Sequence, residues 1–179
     1  MSTGAPSAPG ASLSELAAGD PRLAAVERMF AAMYRQMQSM GLAVPLAEGG
    51  EALWMRAMAP SFGKSSVLFL ATRDELPVGF GHGMLRLAAG HLVPCKTGFI
   101  SHVYVDPAAR GQHVGKQLVE ALEAWFAARG AASIELHVIE QNGAARGFWT
   151  ACGYAPELVQ MRRQLSPVAG APPDRQERS

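Results

Sequence analysis

The sequence has few charged residues and no marked excess of either sign. Only 17 % of its 179 residues are Asp, Glu, Lys or Arg, and sixteen basic against fifteen acidic side chains leave a formal net charge of +1. A protein that binds nucleic acid or a membrane surface through charge alone would carry a clear basic excess. We therefore expect neither nucleic acid nor a membrane among its partners.

Cysteine is scarce, and long apolar runs are lacking. Cys95 and Cys152 form no C-x-x-C pair and no disulfide framework. No stretch approaches the ~18 uncharged apolar residues of a spanning helix. The first basic residue is Arg22, so the basic start of a signal peptide is missing. These features favour a protein of the reducing cytoplasm.

The two ends of the chain contain little that could be buried and much Ser, Pro, Gly and Ala. We expect residues 1–19 and 166–179 to be disordered tails. The remaining residues, 20–165, are enough for one domain with a sizeable core.

Hydrophobic spacing within residues 20–165 predicts an α/β fold with a mixed sheet. Asp20 and Pro21 are typical of a helix start, and apolar residues follow at helical spacing as far as Met40. Further helices are expected at 51–58, 114–130 and 142–152, and strands at 67–72, 78–87, 99–105, 133–139 and, as a strand or hairpin, 154–165. This order predicts an antiparallel meander followed by a β-α-β unit with parallel strands.

Residues 105–116 join a strand to a helix and have the composition of a phosphate site. Their glycines allow a ligand close to the backbone, and the helix N-terminus offers free N–H groups and a partial positive charge. Arg110 and Lys116 add cationic side chains. The spacing fits neither a P-loop nor a G-x-G-x-x-G dinucleotide fingerprint. A tight strand-to-helix turn without a ligand is the structural alternative.

This loop resembles that of the GNAT superfamily, the acetyl-CoA-dependent N-acetyltransferases. The family's strand usually ends Val-x-Pro, and its loop reads Arg or Gln, two residues, Gly, one residue, Gly or Ala. The chain has Val105-Asp106-Pro107 and then Arg110-Gly111-Gln112-His113-Val114-Gly115, with His113 where the middle glycine is usual. The family's next helix often opens Asn-x-x-Ala-x-x-Phe-Tyr, and the chain has Asn142-Gly143-Ala144-Ala145-Arg146-Gly147-Phe148-Trp149.

The resemblance implies direct transfer of an acetyl group from acetyl-CoA to a primary amine of a small molecule or peptide. It also implies that the strands at 99–105 and 133–139 splay apart, so that the pantetheine arm pairs with exposed backbone. The residues that would contact acetyl-CoA are Val103, Tyr104, Val105, Arg110, Gly111, Gln112, His113, Val114, Gly115, Lys116, Asn142 and Trp149. Dimers are frequent among similar proteins, which leaves a homodimer open.

The candidate base is not the one most common in the family. Many members place a carboxylate on the strand before the loop, yet no Asp or Glu occurs from Leu76 to Val105. His102 lies where some relatives carry Glu, and an ordinary imidazole pKa of about 6.5 suits a base. A hydrogen-bonded structural histidine is the alternative. Ser101 or Tyr104 could instead hold a water that relays the proton.

The general acid stays unassigned. The family usually places a tyrosine at the position of Trp149, and an indole N–H cannot serve as an acid at neutral pH. Tyr154 follows Gly153 and is expected to pack in the core. These departures leave a second function open, in which a GNAT-like module binds acyl-CoA without transferring it and acts as a sensor or partner subunit.

Other side chains have plainer explanations. Four methionines share one face of the first helix, and we expect core packing rather than an acceptor pocket for Met29, Met33, Met37 and Met40. His82 either faces the acceptor or marks a close approach of the backbone. His82, His91 and Cys95 lack the spacing of metal ligands, so we expect no metal.

Overall fold

The computed structural model describes residues 11–165, which form five strands and four α-helices. The strands are β1 (Ser12–Glu15), β2 (Ser66–Arg73), β3 (Leu76–Leu87), β4 (Lys96–Val105) and β5 (Ser133–Leu136). The helices are α1 (Leu23–Ser39), α2 (Gly50–Met58), α3 (Val114–Ala127) and α4 (Gly143–Ala151). No helix within this range is long and apolar enough to cross a membrane.

The sheet is mixed, as the hydrophobic pattern predicts. Its strands lie in the order β1-β2-β3-β4-β5. The first four strands are antiparallel neighbours, and β4 pairs with β5 in parallel. Because parallel neighbours need a crossover, α3 connects β4 to β5. The α/β class and the meander followed by a β-α-β unit are confirmed.

Helices cover both faces of the sheet. α1 and α2 pack on one face in a core that includes Phe30, Met55 and Phe80. On the other face the side chains of α3 pack directly on β3, where every second residue between positions 79 and 83 is glycine. A Cβ at Gly83 would lie 2.5 Å from Cζ of Phe126, so a side chain there would push the helix away.

The chain is ordered earlier than predicted. β1 pairs antiparallel with β2, and Leu16 is buried in the core beside it. The predicted disordered tail at residues 1–19 is therefore wrong for Ser12–Glu15, because Leu13 and Leu16 supply apolar contacts that the small-residue composition conceals. Residues 1–10 and the predicted tail at 166–179 lie outside the described residues.

Other predicted elements also differ from the structure. α1 begins only at Leu23, because the carboxylate of Asp20 accepts a hydrogen bond from the amide of Arg22 (2.9 Å) in a turn that precedes the helix. β5 stops at Leu136, short of the predicted end, because the sheet opens there. The strand or hairpin predicted at 154–165 is wrong, since this segment pairs with no described strand.

Candidate active site

The sheet opens beside a bulge in β4. β4 and β5 pair in parallel only as far as Ile100 opposite Leu136. On the other edge of β4 the register with β3 shifts, which leaves Ser101 as the extra residue. A bulge bends its strand and interrupts regular pairing. Residues 101–105 and 137–139 therefore line two sides of a cleft, which is the arrangement expected for splayed parallel strands.

The cleft has a volume of about 790 Å³ and contains most of the predicted contacts to acetyl-CoA. Gln112 is the exception, since its side-chain amide donates to the carbonyl of Ala108 at 3.2 Å and the residue is not part of the lining. Val103, Tyr104 and Val105 line the cleft along the edge of β4 that has lost its neighbouring strand. Backbone polar groups need partners when buried, so the amides of a pantetheine arm fit this edge.

The loop from β4 to α3 contains two residues in the left-handed conformation. Gly111 has a φ of 75°, and His113, the residue before the helix, has a φ of 62°. The left-handed conformation is easy for glycine and costs other residues roughly 1–2 kcal/mol. Val114 then starts α3 on the wall of the cleft. The first N–H groups of a helix have no intrahelical acceptor, so this end suits an anion.

Two cations flank the helix start. Arg110 donates through Nη2 to Oε1 of Gln36 at 2.9 Å and through Nε to the carbonyl of Val105 at 3.1 Å. It therefore ties the loop to α1. Lys116 lies 3.7 Å from the carboxylate of Glu120, and both side chains are exposed. Such exposed pairs contribute little to stability, so Lys116 can exchange this partner for an anion.

α4 closes the cleft against α3 at a point where only a small residue fits. A Cβ at Gly115 would lie 3.3 Å from two ring atoms of Phe148 and 3.6 Å from Cγ2 of Val105. The start of α4 is held by Asn142, since its Oδ1 accepts a hydrogen bond from the amide of Ala145 at 3.0 Å.

The bulge also brings two histidines to one hydroxyl. His102 lines the cleft, and its ring lies 5.0 Å from that of Phe30 and 5.3 Å from that of Trp54, measured between centroids. Its Nδ1 is 3.0 Å from Oγ of Ser101. The same Oγ lies 2.5 Å from Nδ1 of His82 and 3.2 Å from the carbonyl oxygen of His82. His82 itself is fully buried and does not line the cleft.

These contacts restrict the protonation of the two rings. A serine hydroxyl has one proton to donate, so at least one of the two Nδ1 atoms carries a proton and donates it to Ser101. When the hydroxyl donates to the carbonyl of His82, both rings are protonated at Nδ1 and both Nε2 atoms are bare acceptors. Nε2 of His82 is buried without a partner in the described residues, whereas the ring of His102 reaches the cleft.

Both histidines are neutral at physiological pH. Burial, followed by the influence of His82, lowers the pKa of His102 to about 3. Burial likewise lowers the pKa of His82 to about 4. The expected pKa of about 6.5 for His102 is therefore wrong. The neutral ring of His102 presents its lone pair on Nε2 when Nδ1 donates to Ser101, but the ring is a weaker base than the sequence indicates.

The tyrosines divide between packing and the cleft. Tyr154 donates its hydroxyl to Oε1 of Glu123 at 2.9 Å, and burial together with this carboxylate raises its pKa. Trp149 lines the cleft and packs edge-to-face on Tyr154. Of the tyrosines in the described residues, Tyr104 alone lines the cleft. Burial, more than any nearby charge, raises its pKa, so its hydroxyl keeps its proton at neutral pH.

One wall of the cleft was not predicted from the sequence. Met33, Met37 and Met40 of the α1 region line it together with Gln36, whereas Met29 belongs to the core alone. The prediction of core packing is thus incomplete for three of the four methionines. Helical spacing placed them on one face, but it could not show that this face extends past the sheet to the cleft. No cluster in the described range has three His, Cys, Asp or Glu side chains placed to hold a metal.

Comparison with known proteins identifies a family and a fold. The profile of the acetyltransferase (GNAT) family matches residues 30–154. Aminoglycoside N(6')-acetyltransferase type 1 of Klebsiella aerogenes is 31% identical over 104 residues, which are 58% of this chain and 68% of that protein.

Two solved structures extend the likeness. A mutant of the BH1408 protein from Bacillus halodurans superposes with a TM-score of 0.73 at 20% identity, covering 87% of this chain and 99% of that one. The aminoglycoside N-acetyltransferase AAC(6')-Iy in complex with CoA gives a TM-score of 0.69 at 15% identity, covering 88% and 98%. Identities this low establish a shared fold and no more.

Proposed function

The chain belongs to the acetyltransferase (GNAT) family, and on that premise we propose that it transfers an acetyl group from acetyl-CoA directly to a primary amine. One observation carries the proposal. The unpaired edge of β4, the loop of residues 110–116 and His102 all line a single cleft. The edge suits the amides of pantetheine, the loop suits a pyrophosphate, and the histidine lies on the strand that would hold the thioester.

The phosphate end of the cofactor is assigned to the start of α3. Its first N–H groups and the side chain of Lys116 supply positive charge, and Gly111 keeps the loop free of a side chain there. The guanidinium of Arg110 is already held by Gln36, so it contributes charge while it anchors the loop. Gly115 and Phe148 set the closest approach of α4.

At the other end, transfer requires one bond to form and one to break. The lone pair of the amine bonds to the thioester carbonyl carbon, and the C–S bond breaks to release the thiolate of CoA. The amide of Val103 or Tyr104 polarises the thioester carbonyl. The proton that the amine loses passes to Nε2 of His102, directly or through a water. The thiolate takes a proton from solvent or, through a water, from the hydroxyl of Tyr104.

The pKa of about 3 limits what His102 contributes. A general base typically accelerates a reaction about 10²–10⁴-fold, and its efficiency follows its basicity. An imidazole weakened by burial belongs at the low end, at about 10²-fold. The rest of the acceleration comes from holding the amine and the thioester together in the cleft.

Binding of acyl-CoA without transfer is the second candidate function. Two observations favour it. Trp149 lines the cleft at the position where the family usually has a tyrosine as general acid, and His102 is a weak base. Such a protein would act as a sensor or as a partner subunit. It would bind the cofactor as tightly as an enzyme but release no thiol.

An acceptor screen separates the two functions. Purified protein is mixed with acetyl-CoA and a panel of primary amines, free thiol is followed with time, and the acetylated amine is identified by mass spectrometry. If the protein transfers acetyl groups, thiol is released only when the amine is present, and its amount equals that of the acetylated amine. Gly115→Val should bind acetyl-CoA poorly, so it is the control for thiol release that does not depend on this cleft. Tight calorimetric binding of acetyl-CoA without amine-dependent release would contradict transfer and support the silent module.

A further inference from the structure

We infer that the acceptor is a single amine on a compact apolar body, rather than a polycation such as an aminoglycoside or a polyamine. The inference rests on the proposed function and specifies the substrate class of the same cleft. Its grounds are the side chains that α1 places in the cleft and the charges of the whole lining.

The wall contributed by the α1 region is apolar. Met33, Met37 and Met40 follow at helical spacing, so their side chains share one face, and all three line the cleft. Gln36, the polar residue among them, has its amide oxygen occupied by Arg110 at 2.9 Å. Thioether side chains are flexible and polarisable, and they adapt to irregular apolar surfaces. This wall offers apolar contact and little hydrogen bonding.

The described lining of the cleft contains cations but no carboxylate. Arg110 and Lys116 are the basic side chains of the lining, and no Asp or Glu belongs to it. The acidic residues of α1 and α2 are Glu27 and Glu51, and neither contributes to the cleft. An ammonium group brought into this cleft would therefore meet no opposite charge on its walls.

Charges of both signs act on Tyr104, which lines the cleft. One carboxylate, that of Asp106, raises the pKa of its phenol, and two guanidinium groups, those of Arg35 and Arg110, lower it. The carboxylate already accepts a hydrogen bond from the amide of Ala108 at 2.9 Å, in the turn that starts the phosphate loop. Asp106 is thus already hydrogen-bonded within that turn, and it is not part of the lining of the cleft.

This charge balance discriminates between classes of amine. An aminoglycoside or polyamine carries several protonated amines, and only the reacting one loses its proton. The others would be desolvated without a partner, which is costly. An amine with an apolar body carries no charge once it is deprotonated, and its burial against methionine is favourable.

The test compares matched acceptors in the intact protein. Thiol release with saturating acetyl-CoA is measured for 2-phenylethylamine, spermidine and kanamycin, at low and at moderate salt. We expect kcat/KM for 2-phenylethylamine to exceed both others by about tenfold or more, because the site would have to bury at least one unpaired charge. A higher kcat/KM for kanamycin or spermidine at both salt concentrations overturns the inference.

Met37→Glu tests the cause directly, with Met37→Gln as the uncharged control of nearly the same shape. Relative to the Gln variant, the carboxylate should raise kcat/KM for kanamycin and spermidine several-fold and lower that for 2-phenylethylamine. Equal effects of the two substitutions on all three amines would contradict the charge argument.

A failure of the proposed acetyl transfer can be distinguished from a failure of the inferred acceptor class. If no amine releases thiol although calorimetry shows that acetyl-CoA binds, transfer is disproved. The acceptor class is then decided by calorimetry of the same three amines on the CoA-loaded protein. Tighter binding of 2-phenylethylamine than of kanamycin supports the apolar class, and the reverse order overturns it.

Discussion

The hydroxyl of Ser101 lies 3.0 Å from Nδ1 of His102, and this contact determines which nitrogen of His102 is left for a substrate. With Nδ1 held, the ring can offer only Nε2 to the cleft. Ser101 is also the extra residue of the bulge beside which β4 and β5 part. One local irregularity of β4 therefore both lies beside the opening of the sheet and orients the proposed base.

Ser101→Ala should lower kcat about tenfold without changing the affinity for acetyl-CoA, because the imidazole loses the group that fixes its orientation. Ser101→Thr keeps a hydroxyl at the same place and should retain most of the wild-type kcat. Steady-state thiol release, with acetyl-CoA affinity measured by calorimetry, checks both variants. A wild-type kcat in Ser101→Ala would show that the hydroxyl has only a structural role.

The two buried histidines should make the fold sensitive to mild acid. Their pKa values are lowered to about 4 and about 3 in the folded protein, whereas unfolded histidines titrate near about 6.5. The unfolded state therefore binds more protons below about pH 6.5, and stability falls as the pH drops toward the folded values. We expect a loss of about 2 kcal/mol per histidine between pH 7 and pH 5.

Urea unfolding over this pH range measures the effect. His82→Gln removes one titrating ring, so it should be less stable at pH 7 but lose less stability on acidification. A slope equal to that of the wild type would mean that His82 is not held neutral by the fold.

His113→Gly should stabilise the protein. His113 has a φ of 62°, and relief of this strain, less the greater freedom of glycine in the unfolded chain, is about 0.5–1 kcal/mol. His113→Ala keeps a Cβ in the same conformation and should gain nothing. Denaturant unfolding distinguishes the two. Turnover of the glycine variant should equal or exceed that of the wild type, and a collapse of turnover at saturating acetyl-CoA would reveal a catalytic role for His113.

Gly115→Val should weaken acetyl-CoA binding, because its side chain would press on Phe148 and force α4 away from α3. The double variant Gly115→Val/Phe148→Ala relieves that contact and should recover part of the affinity. Calorimetry at two salt concentrations checks this, since a site that neutralises a pyrophosphate weakens with salt. Unchanged affinity in Gly115→Val would place the phosphates elsewhere.

Local patterns in the sequence were enough to predict the helices and β2 to β5, whereas the position of the cleft was implied by the resemblance to the GNAT superfamily. The buried face of each element repeats with its own period, and the loop of residues 105–116 marks a strand-to-helix junction. β1 could not be predicted, because its stability comes from pairing with β2 and from two leucines in a small-residue segment. The end of β5 at Leu136 likewise depends on the opening of the sheet, which no pattern within the strand records.

The residues that line the cleft were largely predicted, but the electrostatics of the cleft were not. His102 was identified from its place on β4, whereas its pKa depends on packing against Phe30 and Trp54 of distant helices. The role of Ser101 depends on the register between β3 and β4, which brings His82 to the same hydroxyl. Both are properties of tertiary contact rather than of spacing along the chain.

The lowered pKa of His102 also changes what the pH dependence of the rate should report. Because His102 is already neutral at pH 5, its protonation cannot cause a fall in the rate between neutral pH and pH 5. We therefore expect the rate to rise with pH according to deprotonation of the amine acceptor, and to do so equally with and without His102. The pH dependence of the rate is measured with two amines of different basicity. The pH at which the rate rises should follow the pKa of the amine.

The most direct test of the account is kcat for acetyl transfer by His102→Asn at saturating acetyl-CoA. Asparagine keeps a polar atom near the position of Nδ1, so the contact with Ser101 can persist while Nε2 is removed. The account predicts a fall of about 10²-fold in kcat with unchanged affinity for acetyl-CoA. A wild-type kcat in this variant would contradict it, since the amine's proton would then leave by a path that does not involve His102.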